Sequence, residues 1–146
     1  MFDELVAYIT KEYARARKIV EVGVGSRIDV AERIKKTLPL TDVIVTDREE
    51  SWARTHKSGR VHAVADDAMY PQLAIYQGAS LIYSIHPPIE IVRSLIELSS
   101  RVDADLMLVP RSDEQEMFLE DEWEKIIRSA RTIGWKHPSH GKKSRS

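Results

Sequence analysis

Gly23 and Gly25, Asp47 and Asp67, and His86 are the residues whose types and spacing point to chemistry. The two glycines close an apolar run, Ile19, Val20 and Val22, and precede a charged amphipathic segment. A strand that ends in a glycine turn and feeds a helix leaves unpaired backbone N–H groups with a partial positive charge, which favour a carboxylate or a phosphate. Asp47 ends a second β-branched run 24 residues beyond Gly23. In a strand–helix–strand unit that spacing puts a carboxylate at the carboxyl end of the neighbouring parallel strand, where it can accept hydrogen bonds from a ribose diol. Asp66 and Asp67 end a third run, and adjacent residues of an extended segment point to opposite faces, so no metal site is expected of them. His86 ends a fourth run immediately before Pro87 and Pro88, and a neutral imidazole there is suited to general-base work.

The elements that must hold these residues follow from periodicity. Phe2, Leu5, Val6, Ile9 and Tyr13 recur at helical spacing, with acids at the start of the segment and bases at its end. Ser26 to Asp29 gives a capping signal, and Val30, Ala31, Ile34 and Leu38 continue as a helix until Pro39. Five apolar runs read as strands: Ile19 to Val22, Asp42 to Asp47, Val61 to Ala65, Ser80 to Ile85 and Asp105 to Val109. A short helix is expected around Ser51 to Arg54, a turn at Ser58-Gly59, and a helix from Ile89 to Leu98. A last helix is expected from Ser112 onward, with Leu119, Trp123, Ile126, Ile127 and Ala130 on its buried face. Strands alternating with helices predict an α/β, Rossmann-like open sheet, five-stranded and mainly parallel, with helices on both faces. The sheet is expected to be shortened at the C-terminal end, with at most a short strand near Trp135 and no terminal antiparallel pair. Residues 1–135 read as a single domain and 136–146 as a basic, flexible tail.

Composition narrows the function classes. The chain has 146 residues, 42% hydrophobic and 31% charged, as a soluble single domain does. No apolar run is long enough to cross a bilayer and the N-terminus lacks the pattern of a signal peptide, so the expected location is the cytoplasm. The absence of cysteine excludes thiolate chemistry and disulfides. The net charge of −1 hides a basic end, where Lys136, Lys142, Lys143 and Arg145 meet no acid. With no aromatic after Trp135 on which to stack a base, that end is weak support for nucleic-acid binding, and a solvated tail is the plainer reading.

Glu21-Val22-Gly23-Val24-Gly25, Asp47, Ala65-Asp66-Asp67-Ala68 and the apolar strand running into Pro87-Pro88 together resemble the nucleotide half of the class I S-adenosylmethionine-dependent methyltransferases. More narrowly, the chain is similar to an uncharacterised protein family of short Rossmann-like chains that share the Glu-Val-Gly-x-Gly turn and the Tyr-Ser-Ile-x-Pro-Pro strand end. The resemblance covers residues 17 to 130. It implies that Gly23 and Gly25 admit the methionine part of the cofactor with Glu21 nearby, that Asp47 holds the ribose hydroxyls, and that Asp67 sits beside the adenine. Two positions depart from the pattern: Arg27 stands where a third glycine belongs, and His86 stands where amino-directed methyltransferases carry Asp or Asn.

Two functions remain open on this reading. One is a methyltransferase-like protein that binds S-adenosylmethionine, with His86 as the catalytic candidate and an acceptor the sequence does not name. The other is a non-catalytic nucleotide-binding or regulatory module, in which Arg27 contacts a phosphate and NAD becomes the better ligand, although one domain leaves no room for a dehydrogenase's substrate half. Either way the partner is a small nucleotide-type molecule rather than a membrane, and an open sheet edge leaves a homo-oligomer in play.

Overall fold

The structure is a computed structural model that describes residues 2–23, 25, 28–49, 60–111 and 123–139. In chain order the elements are α1 (Asp3–Glu12), β1 (Lys18–Val22), α2 (Asp29–Thr37), β2 (Asp42–Asp47), β3 (His62–Ala65), α3 (Leu73–Tyr76), β4 (Leu81–Ile85), α4 (Ile89–Arg101), β5 (Asp105–Val109), β6 (Glu124–Arg128) and β7 (Arg131–His137). The expected helix at Ser51 to Arg54, the turn at Ser58-Gly59, the contribution of Ser26 and Arg27, and the stretch from Ser112 to Leu119 lie outside the described residues.

The strands form one sheet of seven in the order β3-β2-β1-β4-β5-β7-β6. β1 to β5 pair in parallel, and β7 pairs antiparallel with both β5 and β6. The parallel strands carry near-continuous apolar runs because both faces of the sheet are covered. One layer packs α1 and α2 over Ile19, Val43, Val45, Leu81, Tyr83 and Met107. The opposite layer buries Val20, Ile44, Ile82, Leu106, Leu108 and Trp135 together with Tyr76 of α3 and Leu95 and Leu98 of α4.

The C-terminal region corrects the sequence reading twice. The sheet is a mixed one of seven strands rather than a shortened, mainly parallel one of five, and the antiparallel pair expected to be missing is present. Residues expected on the buried face of a helix form β6, in which Ile126 is buried while Ile127 is half exposed. The two strands join through Ser129 and Ala130, both at positive φ (50° and 59°), the backbone combination that a two-residue hairpin of matching twist requires. Asn-Gly is the usual signal for that turn, and Ser-Ala conceals it. β7 carries Lys136 and His137, the first residues of the basic segment, into the sheet.

Buried carboxylates tie the two ends of the chain together. Asp105, 1% exposed at the start of β5, accepts the Tyr13 hydroxyl at 2.6 Å and the Ser139 N–H at 2.7 Å. Lys136 Nζ stands 3.9 Å from the same carboxylate and donates to the Tyr8 hydroxyl at 3.2 Å, so one charge set spans α1, β5 and β7.

Close approach of β7 to β5 depends on Gly134. A Cβ there would meet Met107 Cε at 2.6 Å and the Leu108 carbonyl oxygen at 3.2 Å. Met107 can shift, but the ladder carbonyl cannot. Gly134→Ala is expected to lower stability by about 1–3 kcal/mol in urea unfolding, and a stability equal to the parent's would contradict the tight β5–β7 contact.

Candidate functional site

Strand register brings the polar residues to one edge. Val22 pairs with Thr46 and Asp47 pairs with Ala65, so β1, β2 and β3 end side by side. The Gly23 N–H donates to the Thr46 carbonyl and the Asp66 N–H to the Asp47 carbonyl, each at 2.9 Å, which carries the ladder one residue past the strands. Because the chain turns from β3 back across to β4 beside β1, this edge is the switch point of the sheet, where open α/β folds leave a crevice.

A cleft of about 340 Å³ occupies that position. Its floor is Val22 and Gly23, one wall is Asp66 to Met69, and the other is Pro88, Glu90 and Ile91 at the start of α4. Asp47 and Arg48 close the end of β2. The size suits a small ligand. Among the described residues the lining carries four carboxylates, Asp47, Asp66, Asp67 and Glu90, against one guanidinium, Arg48. The field of these side chains favours a cation and opposes a phosphate.

Each carboxylate has its own setting. Asp47 Oδ2 accepts the Gly25 N–H at 2.9 Å, which ties the glycine loop to the end of β2, while Oδ1 faces the Glu49 N–H at 3.4 Å. A carboxylate has about four acceptor positions, so Asp47 keeps capacity toward the cleft. Asp67 Oδ1 accepts the Met69 N–H at 3.0 Å and shapes the β3–α3 turn. Asp66 is buried, with Tyr76 O–H donating to Oδ2 at 2.5 Å and both the Gln72 N–H (3.0 Å) and the Gln72 side-chain amide (3.4 Å) donating to Oδ1. Gly23 and Gly25 sit at φ 70° and 62°, where an L side chain is strained.

Of the residues singled out in the sequence, Gly23, Asp47 and Asp67 line the cleft. Gly25 is exposed and is joined to it through Asp47. Glu21 instead faces the α1–α2 layer, 3% exposed, and accepts the Tyr83 hydroxyl at 2.7 Å. His86 is exposed, at φ 54°, with its ring edge-on to Phe2 (6.2 Å between centroids), while Pro88 reaches the cleft. Sequence reasoning passed over Arg48 and Glu90. An acid in a first helical turn directly after two prolines is the signal that could have drawn attention to Glu90.

Comparison with known proteins follows the same line. The model of an uncharacterised protein family, UPF0146, matches residues 2–133. A UPF0146 protein of Pyrococcus horikoshii is 35% identical over 105 residues, 72% of this chain and 79% of that one. One from Archaeoglobus fulgidus is 37% identical over 107 residues, 73% of this chain and 76% of its own. Among solved structures, the S-adenosylmethionine-dependent methyltransferase SibL matches 92% of this chain with a TM-score of 0.60 at 14% identity. An O-methyltransferase family protein from Burkholderia thailandensis matches 96% with a TM-score of 0.61 at 12% identity. The chain spans 53% and 57% of those two proteins, and 93% of the antibiotic-resistance methyltransferase Kmr, at a TM-score of 0.60 and 15% identity. Likeness at such identities shows the fold.

Burial, and beyond it the adjoining carboxylate, raises the ionisation of Tyr13, Tyr76 and Tyr83 above the ordinary phenol range. A group whose folded value is raised contributes stability that is fully present below the unfolded value of about 10 and is lost as pH rises through the folded value. Absorbance of tyrosinate is expected to show these three phenols appearing only with cooperative unfolding above that pH. Titration of all five tyrosines in a still-folded chain would contradict it. Tyr83→Phe strips Glu21 of this donor and is expected to cost about 1–3 kcal/mol in denaturant unfolding, a loss smaller in a Glu21→Gln background.

Proposed function

The chain belongs to the uncharacterised protein family UPF0146, and we propose that it binds S-adenosylmethionine in the cleft at the ends of β1, β2 and β3, as a small methyltransferase-like protein. The carrying observation is the charge of the cleft: four carboxylates against one guanidinium among the described lining residues. A ligand that joins an adenosine to a sulfonium and an amino acid, and so carries a net positive charge, matches that field. A nucleotide bearing phosphates opposes it, which ranks NAD below S-adenosylmethionine.

The residues fit such a molecule. Asp47 would accept from the ribose hydroxyls with the capacity left after Gly25, and Asp67 would lie beside the base with Met69 and Ile91 as apolar walls. Gly23 would let the amino-acid portion approach the backbone. Glu21 would act through the fold of β1 rather than by contact, since its carboxylate is committed to Tyr83 in the opposite layer. When bound, the cofactor supplies an electrophilic methyl group, so the chain's own task is to orient an acceptor and take up its proton. His86, exposed at the end of β4 between the cleft and α1, is the candidate for that proton. The structural neighbours are methyltransferases, which supports the class of reaction and leaves the acceptor unnamed. A non-catalytic binding module would use the same cleft and differ only in lacking turnover.

Isothermal titration with S-adenosylmethionine and its demethylated product tests the reading. Binding of both is expected, with Asp47→Ala weakening it by about tenfold or more, the scale for hydrogen bonds made to a charged group. Silence at millimolar ligand, or tighter binding of NAD, would overturn it.

A further inference from the structure

Along the same sheet edge, on the β5–β7 side of β4, the chain encloses a second and larger cleft of about 510 Å³. Its apolar surface comes from Phe2, Leu5, Val109 and Ile133. Two contacts make it the neighbour of His86: the imidazole packs edge-on against Phe2, and the His86 N–H donates to the Val109 carbonyl at 2.7 Å. His86 therefore stands between this cleft and the cofactor cleft, which begins two residues later at Pro88.

The charges here differ from those around Asp47. Asp3 is neutralised by Arg33 at 2.8 Å. Arg131, exposed at the start of β7, has no ion pair or hydrogen bond of its side chain among the described residues, and it faces the cleft together with Glu4 and Thr132. A guanidinium offers a planar pair of donors that matches a carboxylate, and the apolar lining beside it matches a hydrophobic body. We propose that this cleft is a binding site for a small amphipathic carboxylate, its acid on Arg131 and its aromatic or aliphatic body against Phe2, Leu5, Val109 and Ile133. A reactive group at the His86 end of such a ligand would face the cofactor cleft. The role of methyl acceptor rests on the reading given above; the binding itself does not.

The test uses the full chain without cofactor and 3-phenylpropionate as the probe, followed by backbone amide NMR. Shifts are expected at Leu5, Val109 and Thr132, with 3-phenylpropanamide binding about tenfold more weakly because it lacks the charge. Arg131→Gln is expected to remove the difference between acid and amide, and Arg131→Lys to retain part of it. Arg131 is exposed at a hairpin end, and near-UV circular dichroism checks that both variants keep the parent fold. Absence of shifts at millimolar probe, equal affinity for acid and amide, shifts confined to the β1–β3 cleft, or a full preference for the acid in Arg131→Gln would each overturn the assignment. Calorimetry with S-adenosylmethionine is a separate measurement, so failure of the cofactor reading and failure of this site are told apart.

Discussion

Each carboxylate buried among the described residues, Glu21, Asp66 and Asp105, accepts the hydroxyl of a buried tyrosine, respectively Tyr83, Tyr76 and Tyr13. A carboxylate removed from water without a donor is too costly to keep ionised, so these three bonds are conditions of the fold as much as contributions to it. They also distribute work. Tyr13 on Asp105 pins the segment after α1 to the amino end of β5, Tyr76 on Asp66 sets the loop that walls the cleft, and Tyr83 on Glu21 couples β1 to β4 at the switch point. Two of the three therefore stand behind the candidate site and one behind the C-terminal strands.

Much of this was legible in the sequence because the parallel strands are buried on both faces and so appear as uninterrupted apolar runs. Gly23, Asp47 and Asp67 could be placed on one edge without coordinates, since each directly follows or ends such a run and parallel register aligns the ends. Glu21 shows the limit of that reasoning: strand alternation turns it into the α1–α2 layer, and its partner lies 62 residues away. The tyrosine partners were invisible for the same reason, Tyr13 and Asp105 being 92 residues apart. The region beyond Trp123 misled because its apolar residues fit a helical spacing, while the turn at Ser129 and Ala130 uses left-handed backbone without glycine or asparagine to announce it.

Two clefts of unlike lining share one edge of the sheet. The first is acid-rich and built by the ends of β1, β2 and β3, whereas the second has a guanidinium without an ion pair among the described residues and an apolar wall from α1, β5 and β7. The division follows from topology, since the chain lays β1 to β3 on one side of the switch point and β5 to β7 on the other. The hairpin that the sequence hid is thus what supplies Arg131, and a sheet ending at β5 would lack half of that wall.

The outer margin of the sheet has one more consequence. Among the described residues β6 is the last strand there, with no strand paired on its outer side, and an exposed Ile127 sits on it, which in a straight strand would invite another chain to anneal. The register shift between Ile126 and Ile127 bends the strand out of line, and Glu124, Lys125 and Arg128 place charged side chains along it. The bend in its ladder makes β6 a poor template for another strand, so a hydrophobic side chain can sit at the rim of the sheet.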